Sequence, residues 1–134
     1  MHNLKYSKLL RLESFDERVD YLKLWNLPHT SPRAMSQSFY KSEDWLQTRD
    51  SIIKRDWGFD LGIFGLYIHG PVYVHHLNPI NEDDIRKWSD KLFDPENLVS
   101  TSLQTHNLIH YKPDDLPYVE RKPGDTRLWS KRYK

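Results

Sequence analysis

Val74-His75-His76-Leu77-Asn78-Pro79 decides how this chain is read, together with Asn97-Leu98-Val99-Ser100 and the run Thr105-His106-Asn107-Leu108-Ile109-His110 that follows it. Four of the seven histidines fall in these places. His75 and His76 follow an apolar β-type run, so they are neighbours on an expected strand. Neighbours on a strand project to opposite faces, which gives the two rings different surroundings and different work. One can join a metal while the other faces a substrate. His106 and His110 stand four apart in a segment that Ser102 can cap as a helix over about 103–111, so both rings leave one face a turn apart. That spacing suits two imidazoles on one ion. Each signal is weak alone, because ordinary core or surface histidines show the same spacings; their order along the chain is what carries weight. His69, beside Gly70-Pro71, reads as a turn residue.

Working outward, 134 residues without cysteine describe one domain with neither disulfides nor a thiolate zinc cluster. Five Trp, eight Tyr and five Phe can supply much of a core. No apolar run approaches the ~18 residues of a membrane span, and Met1-His2-Asn3-Leu4-Lys5-Tyr6 lacks a signal-peptide core. The expected location is the cytoplasm, with no membrane partner. Net charge is +1, but six basic residues stand against one acid from Arg121 to Lys134, with Trp129 and Tyr133 interleaved. Such a tail can lie on a nucleic-acid backbone or simply solubilise a frayed terminus.

Three stretches are expected: a helical N-terminal extension over 1–37, a helix plus the histidine-bearing core over 38–112, and a basic tail over 113–134. A short helix is expected within 4–12. Ser14-Phe15-Asp16-Glu17 reads as a capping box for a helix ending near Asn26, with Phe15, Val19, Leu22 and Trp25 on one face. Residues 28–38 read as a polar, proline-bearing connection. Ser42-Glu43-Asp44 opens a helix that buries Trp45, Leu46, Ile52 and Ile53. Lys41, Arg49, Lys54 and Arg55 lie around it, facing phosphate or only solvent. Leu66-Tyr67-Ile68 and Val72-Tyr73-Val74 are β-type runs around a turn. Asp83–Lys91 carries a helical turn or two, with Ile85, Trp88 and Leu92 inward, and 97–101 is a second strand.

Phosphodiester hydrolysis explains why such pieces would sit together. A water must lose a proton to attack phosphorus, and an imidazole titrating near ~6.5 is a suitable base. The rate is then expected to rise with pH through the imidazole range and level off. A divalent cation stabilises the charge that grows on the phosphoryl oxygens, and three protein ligands plus water leave the position it needs open.

His75-His76-Leu77-Asn78-Pro79, Leu92-Phe93-Asp94-Pro95-Glu96-Asn97-Leu98-Val99 and Thr105-His106-Asn107-Leu108-Ile109-His110-Tyr111 resemble the HNH (His-Me finger) endonucleases of the small bacteriophage kind. Phe39-Tyr40-Lys41-Ser42-Glu43-Asp44-Trp45, Arg49-Asp50 and Pro123-Gly124-Asp125-Thr126 with Trp129 extend the likeness over roughly residues 38–130; residues 1–30 are not covered. The resemblance implies an α+β fold with a ββα-metal core, here with added N-terminal helices. It implies a metal-dependent DNA endonuclease, with His76 as general base and His75, His106 and His110 as metal ligands. Asn97 falls at the family's middle asparagine and is expected to pin the loop that orients the base, bonding from its side chain to backbone near His76. Mg2+ or Mn2+ is implied for turnover, while three imidazoles also suit Zn2+ or Ni2+.

DNA is the expected partner, contacted by Lys41, Arg49, Lys54, Arg55, Arg121, Lys122 and Arg127. A phage terminase is a further partner the resemblance suggests, through DNA packaging in the host cytoplasm, with the chain a monomer or homodimer. Many relatives carry two Cys pairs around a structural zinc; Thr105 stands where one such Cys falls. The resemblance then implies no structural zinc here, and the aromatics Trp45, Trp57, Phe64 and Trp88 are expected to support the fold instead. Two other readings stay open: an accessory protein that binds nucleic acid on the same fold without catalysis, and a small zinc-binding interaction module.

Overall fold

The computed structural model describes residues 3–25, 33–111 and 121–125, with 33–35 described by backbone alone. Arg127, Trp129 and Asn26, the expected end of the second helix, lie outside the described residues.

Local chemistry sets the element boundaries. Helix α1 is Tyr6–Leu9. Helix α2, Phe15–Leu22, starts at a full capping box: Ser14 accepts from the Glu17 amide, and the Glu17 side chain accepts from the Ser14 amide. It ends at Leu22, earlier than the sequence pattern predicts. Lys23 leaves the helical region, and the Leu24 amide donates instead to the Ile109 carbonyl at 2.9 Å. Trp25 likewise donates its indole N–H to the Leu108 carbonyl at 2.9 Å. Both satisfy carbonyls at the end of another helix, which need outside partners.

Helix α3, Arg33–Lys41, occupies part of the stretch expected to be irregular. Its Phe39 is fully buried. Helix α4, Glu43–Arg55, is capped by Ser42 as expected, and buries Trp45 and Ile52. Leu46 is 46% exposed, against expectation.

Strands β1 (Tyr73–His76) and β2 (Leu98–Thr101) form a two-stranded antiparallel sheet. The run 66–68 does not pair with β1. Tyr67 bridges back to Phe59 instead, so β1 is left for β2. Between the strands, helix α5 (Glu82–Arg86) is followed by single 3-10 turns at Asp90–Leu92 and Pro95–Asn97. Ile85 and Leu92 point inward as expected, while Trp88 is 41% exposed and donates to Asp44 at 2.9 Å. Helix α6, Leu103–His110, is capped by Ser102. The fold is therefore α+β, and no helix among the described residues is long and apolar enough to cross a membrane.

The sheet register sorts the core. Val99, directly opposite His75, belongs to an apolar cluster with Leu9, Phe15, Leu22, Leu108 and Ile109. Leu98, opposite His76, belongs to another with Phe39, Trp45, Ile52, Ile85 and Leu92. The N-terminal helices thus share one core with α6, beneath the histidines.

Of the expected aromatic supports, Trp45 is buried in the core and Trp88 packs edge-on against Phe39; two buried acids add to them. Asp56 accepts from Tyr6, Arg55 and the Ser100 amide. Asp60 accepts from the Ser102 amide at 3.0 Å, the Ser102 and Thr105 hydroxyls at 2.8 and 2.7 Å, and the Arg121 guanidinium at 2.8 Å. Burial pushes the Asp60 carboxyl up, while Arg121, Thr105 and Ser102 pull it back. The Thr105 hydroxyl, in the first turn of α6, is thus bonded to a buried carboxylate. Arg121 reaches Asp60 from a turn over 121–125 that lies against Gly65, where a Cβ would meet Pro123 at 3.0 Å. Trp57 and Phe64 are 80% and 81% exposed, and Phe64 lies edge-on to Phe59 with centroids 5.4 Å apart. In this loop Asp60 and Leu61 turn inward, which leaves those rings outside.

Asp60→Ala leaves Arg121 with Asp125 as its acid and takes the acceptor from three further donors, and is expected to cost ~3–5 kcal/mol in urea denaturation. Phe64→Ser is expected to stay within about 0.5 kcal/mol. Equal losses in the two variants would show that the aromatic loop, not the carboxylate, holds this end of α6.

Candidate metal centre

Strand alternation sends His75 toward α6, where His106 and His110 project from one helical face. Each of the three offers one ring nitrogen, and these atoms all lie within 4.8 Å of one another. The His106 and His110 Nε2 atoms are 3.1 Å apart. Two imidazole nitrogens bound tetrahedrally at ~2.0–2.1 Å from one ion would be about 3.3 Å apart, so this pair fits a shared coordination sphere. His75 stands nearly perpendicular to both, with ring centroids 5.3 and 5.4 Å away at 72° and 83°. The donor set is therefore suited to a divalent metal, and three imidazoles prefer borderline ions such as Zn2+, Ni2+ or Mn2+ to Mg2+.

Electrostatics favours binding. Burial, then the neighbouring His110, pushes His106 down to about 4. Its ring is neutral at pH 7, with a lone pair to give. Tyr73 lies parallel to it, 5.9 Å between centroids at 16°, and limits its rotation.

His76 takes the other face. It stacks on Trp45, 5.2 Å between centroids at 24°, and its Nε2 lies 3.0 Å from the Leu92 carbonyl. A carbonyl can only accept, so the bond requires the proton on Nε2 and leaves the basic lone pair on Nδ1. Burial pushes this ring down to about 4. His75, His76, His106 and His110 line one cleft of about 240 Å³, together with Tyr40, Pro79 and Ile80.

Asn97 sits behind that cleft, almost fully buried. Its Oδ1 accepts from the Asn78 backbone and side chain at 2.8 and 2.7 Å, and its Nδ2 donates to the Lys91 carbonyl at 3.0 Å. It ties the end of β1 to the segment that carries the Leu92 carbonyl, two residues from His76. Sequence reasoning did not assign Asn78, which exchanges two hydrogen bonds with the Leu4 backbone and brings the N-terminal segment onto the same loop. Nor did it foresee Trp45 and Tyr73 as the rings that hold His76 and His106. Asn78 stood within the quoted motif, but neither tyrosine nor tryptophan carries a spacing signal for stacking.

The expected DNA contacts divide. Lys41, Lys54 and Lys122 are exposed. Arg49 is half-buried and donates to the Val72 carbonyl at 3.3 Å. Arg55 is committed inward: it pairs with Asp56, donates to the Pro95 and Leu98 carbonyls, and lies 3.4 Å over the Tyr6 ring. The Arg121 side chain is fully buried between Asp60 and Asp125. Arg55 and Arg121 are therefore structural cations, because their carboxylate partners are buried and would be left uncompensated if they turned to phosphate. Arg127 lies outside the described residues. No family model, curated protein or solved structure matches the chain.

Titration with Zn2+ or Ni2+ is expected to show one ion per chain by calorimetry. His75→Ala or His106→Ala should weaken binding by more than the ~10–100-fold typical of losing an outer-shell partner, with His76→Ala unchanged. Loss at His76 and not at His75 would reverse the two assignments.

In chelator, acid should destabilise the fold. His76 and His106 take up protons more readily unfolded, near ~6.5, than folded, near 4. Their share of stability is therefore complete above ~6.5 and is lost as pH falls toward 4. Melting curves from pH 7.5 to 4.5 check this.

Proposed function

We propose that the chain is a metal-dependent DNA endonuclease of the HNH (His-Me finger) type. One observation carries the reading: three imidazoles from a strand and a helix converge on a common point, while a fourth, from the adjacent strand position, lines the same cleft with a different hydrogen-bond partner. A purely structural ion would have no use for the fourth ring. The resemblance described above supports the same assignment.

In this reading His76 Nδ1 takes a proton from water as the water oxygen attacks phosphorus, and the bond from phosphorus to the leaving oxygen breaks. The Leu92 carbonyl and the Trp45 ring hold the imidazole so that this nitrogen is aimed without an entropic search. His75, His106 and His110 hold the metal, which when bound supplies Lewis-acid stabilisation of the phosphoryl and leaving-oxygen charge. Asn97 is a positioning residue, acting through the loop rather than on the substrate.

Purified protein is expected to nick supercoiled plasmid with Mn2+, Mg2+, Ni2+ or Zn2+, and to be silent in chelator. His76→Ala should lose cleavage by at least ~100-fold while keeping the metal. Cleavage that survives in this variant, or that needs no metal, would remove the proposal.

The pH profile departs from that of a free imidazole. With His76 near 4, the base is already unprotonated at pH 6, so the rate should be flat from pH 6 upward and fall only below about 5. A limb centred at ~6.5 would indicate an ordinary exposed histidine as base.

A further inference from the structure

A second groove leaves the metal centre along α4, and it is built of rings rather than cations. Its volume is about 550 Å³, and it shares Tyr40, Val74 and His106 with the histidine cleft. Tyr73 and Tyr40 are 39% and 42% exposed on its walls, with Leu46 at 46%. Arg49 is the cation in its lining, and its guanidinium is already shared between the Val72 carbonyl and Asp50.

Duplex DNA is held mainly by cations and amides on its phosphates. Two of the arginines expected to serve there are turned inward. A paired, stacked base cannot offer its face to a tyrosine, whereas an unpaired one can, and aromatic platforms beside a backbone track are how single strands are held. The position of Tyr73 matters most. It lies parallel to His106, so a base laid against the exposed part of this wall is next to the metal ligands.

Resting on the nuclease reading, we propose that this groove receives an unpaired nucleotide of DNA beside the scissile phosphate, with its base against Tyr73 and Tyr40. The substrate is then single-stranded or locally unpaired DNA in preference to intact duplex. Leu46, 46% exposed on α4, adds apolar surface to the same lining.

The test is binding without metal, so that it does not depend on cleavage. Fluorescence anisotropy in chelator would compare a labelled 15-nucleotide single strand, its blunt duplex, and the same strand with abasic residues replacing the bases. The ordinary single strand is expected to bind about ten-fold tighter than either of the others. Tyr73→Ala should weaken single-strand binding by about ten-fold, with Tyr73→Phe restoring it, and Tyr40→Ala should weaken it in the same direction. Circular dichroism checks each fold; should Tyr73→Ala not fold, Tyr40→Ala decides. Equal binding of duplex and single strand, equal binding of the abasic strand, or indifference to loss of the tyrosines overturns the proposal. Plasmid nicking without a single-strand preference removes only this groove assignment. Single-strand binding without nicking removes the nuclease reading and leaves the groove as a binding site.

Discussion

The antiparallel pairing of Tyr73–His76 with Leu98–Thr101 sets His75 across from Val99 and His76 across from Leu98, and everything at the site inherits that register. A slip by one residue would exchange the faces of the two imidazoles. His75 would meet Trp45 and Leu92, and His76 would meet α6. The register is held by burial on both sides, since Val99 and Leu98 are fully buried in different apolar clusters and their exchange would disturb both. Thr101 adds a bond from its hydroxyl to the Tyr73 carbonyl at the far end of the ladder. A sheet of only two strands is marginal by itself, so its covering helices on both faces are what make it a fixed frame.

Around that frame, charge has been spent on structure in a specific way. Asp56, just past α4, accepts from the Ser100 amide in β2, and Asp60 accepts from the first turn of α6. The two carboxylates tie the helix before the site to the strand and the helix that follow. Each needs a cation to compensate its burial, and Arg55 and Arg121 fill those places. A chain without cysteine thereby positions its α6 histidines by hydrogen bonds and ion pairs. The same commitment withdraws two arginines from the surface, while Lys41 and Lys54 stay exposed.

Both histidine faces share one device, a flat partner that restricts a ring. His76 has Trp45, and His106 has Tyr73. Restriction of this kind reduces the conformational freedom lost when an ion or a substrate is bound. Burial does the complementary work, keeping His76 and His106 neutral well below pH 7. The N-terminal segment contributes at a distance: α2 packs on α6 through the core that holds Leu108 and Ile109, and Leu4 exchanges bonds with Asn78.

Short-range chemistry was legible from residue order alone. The caps at Ser14, Ser42 and Ser102, the helix phase of His106 and His110, and the alternation of His75 and His76 all depend on neighbours within about one turn or one pleat. The loop-pinning role of Asn97 was not legible from its neighbours and was an expectation drawn from the resemblance; its bonds to Asn78 and Lys91 are tertiary. The pairing partner of β1, the early end of α2, the helix at Arg33–Lys41, and the burial of Arg55, Arg121 and Asp60 were not legible. Each depends on a group distant in sequence: Leu24 leaves its helix for Ile109, and Arg121 is drawn in by Asp60. An arginine reads the same in a sequence whether it meets water or a buried carboxylate. Only tertiary packing, by removing solvent from one of these surroundings, decides which one it meets.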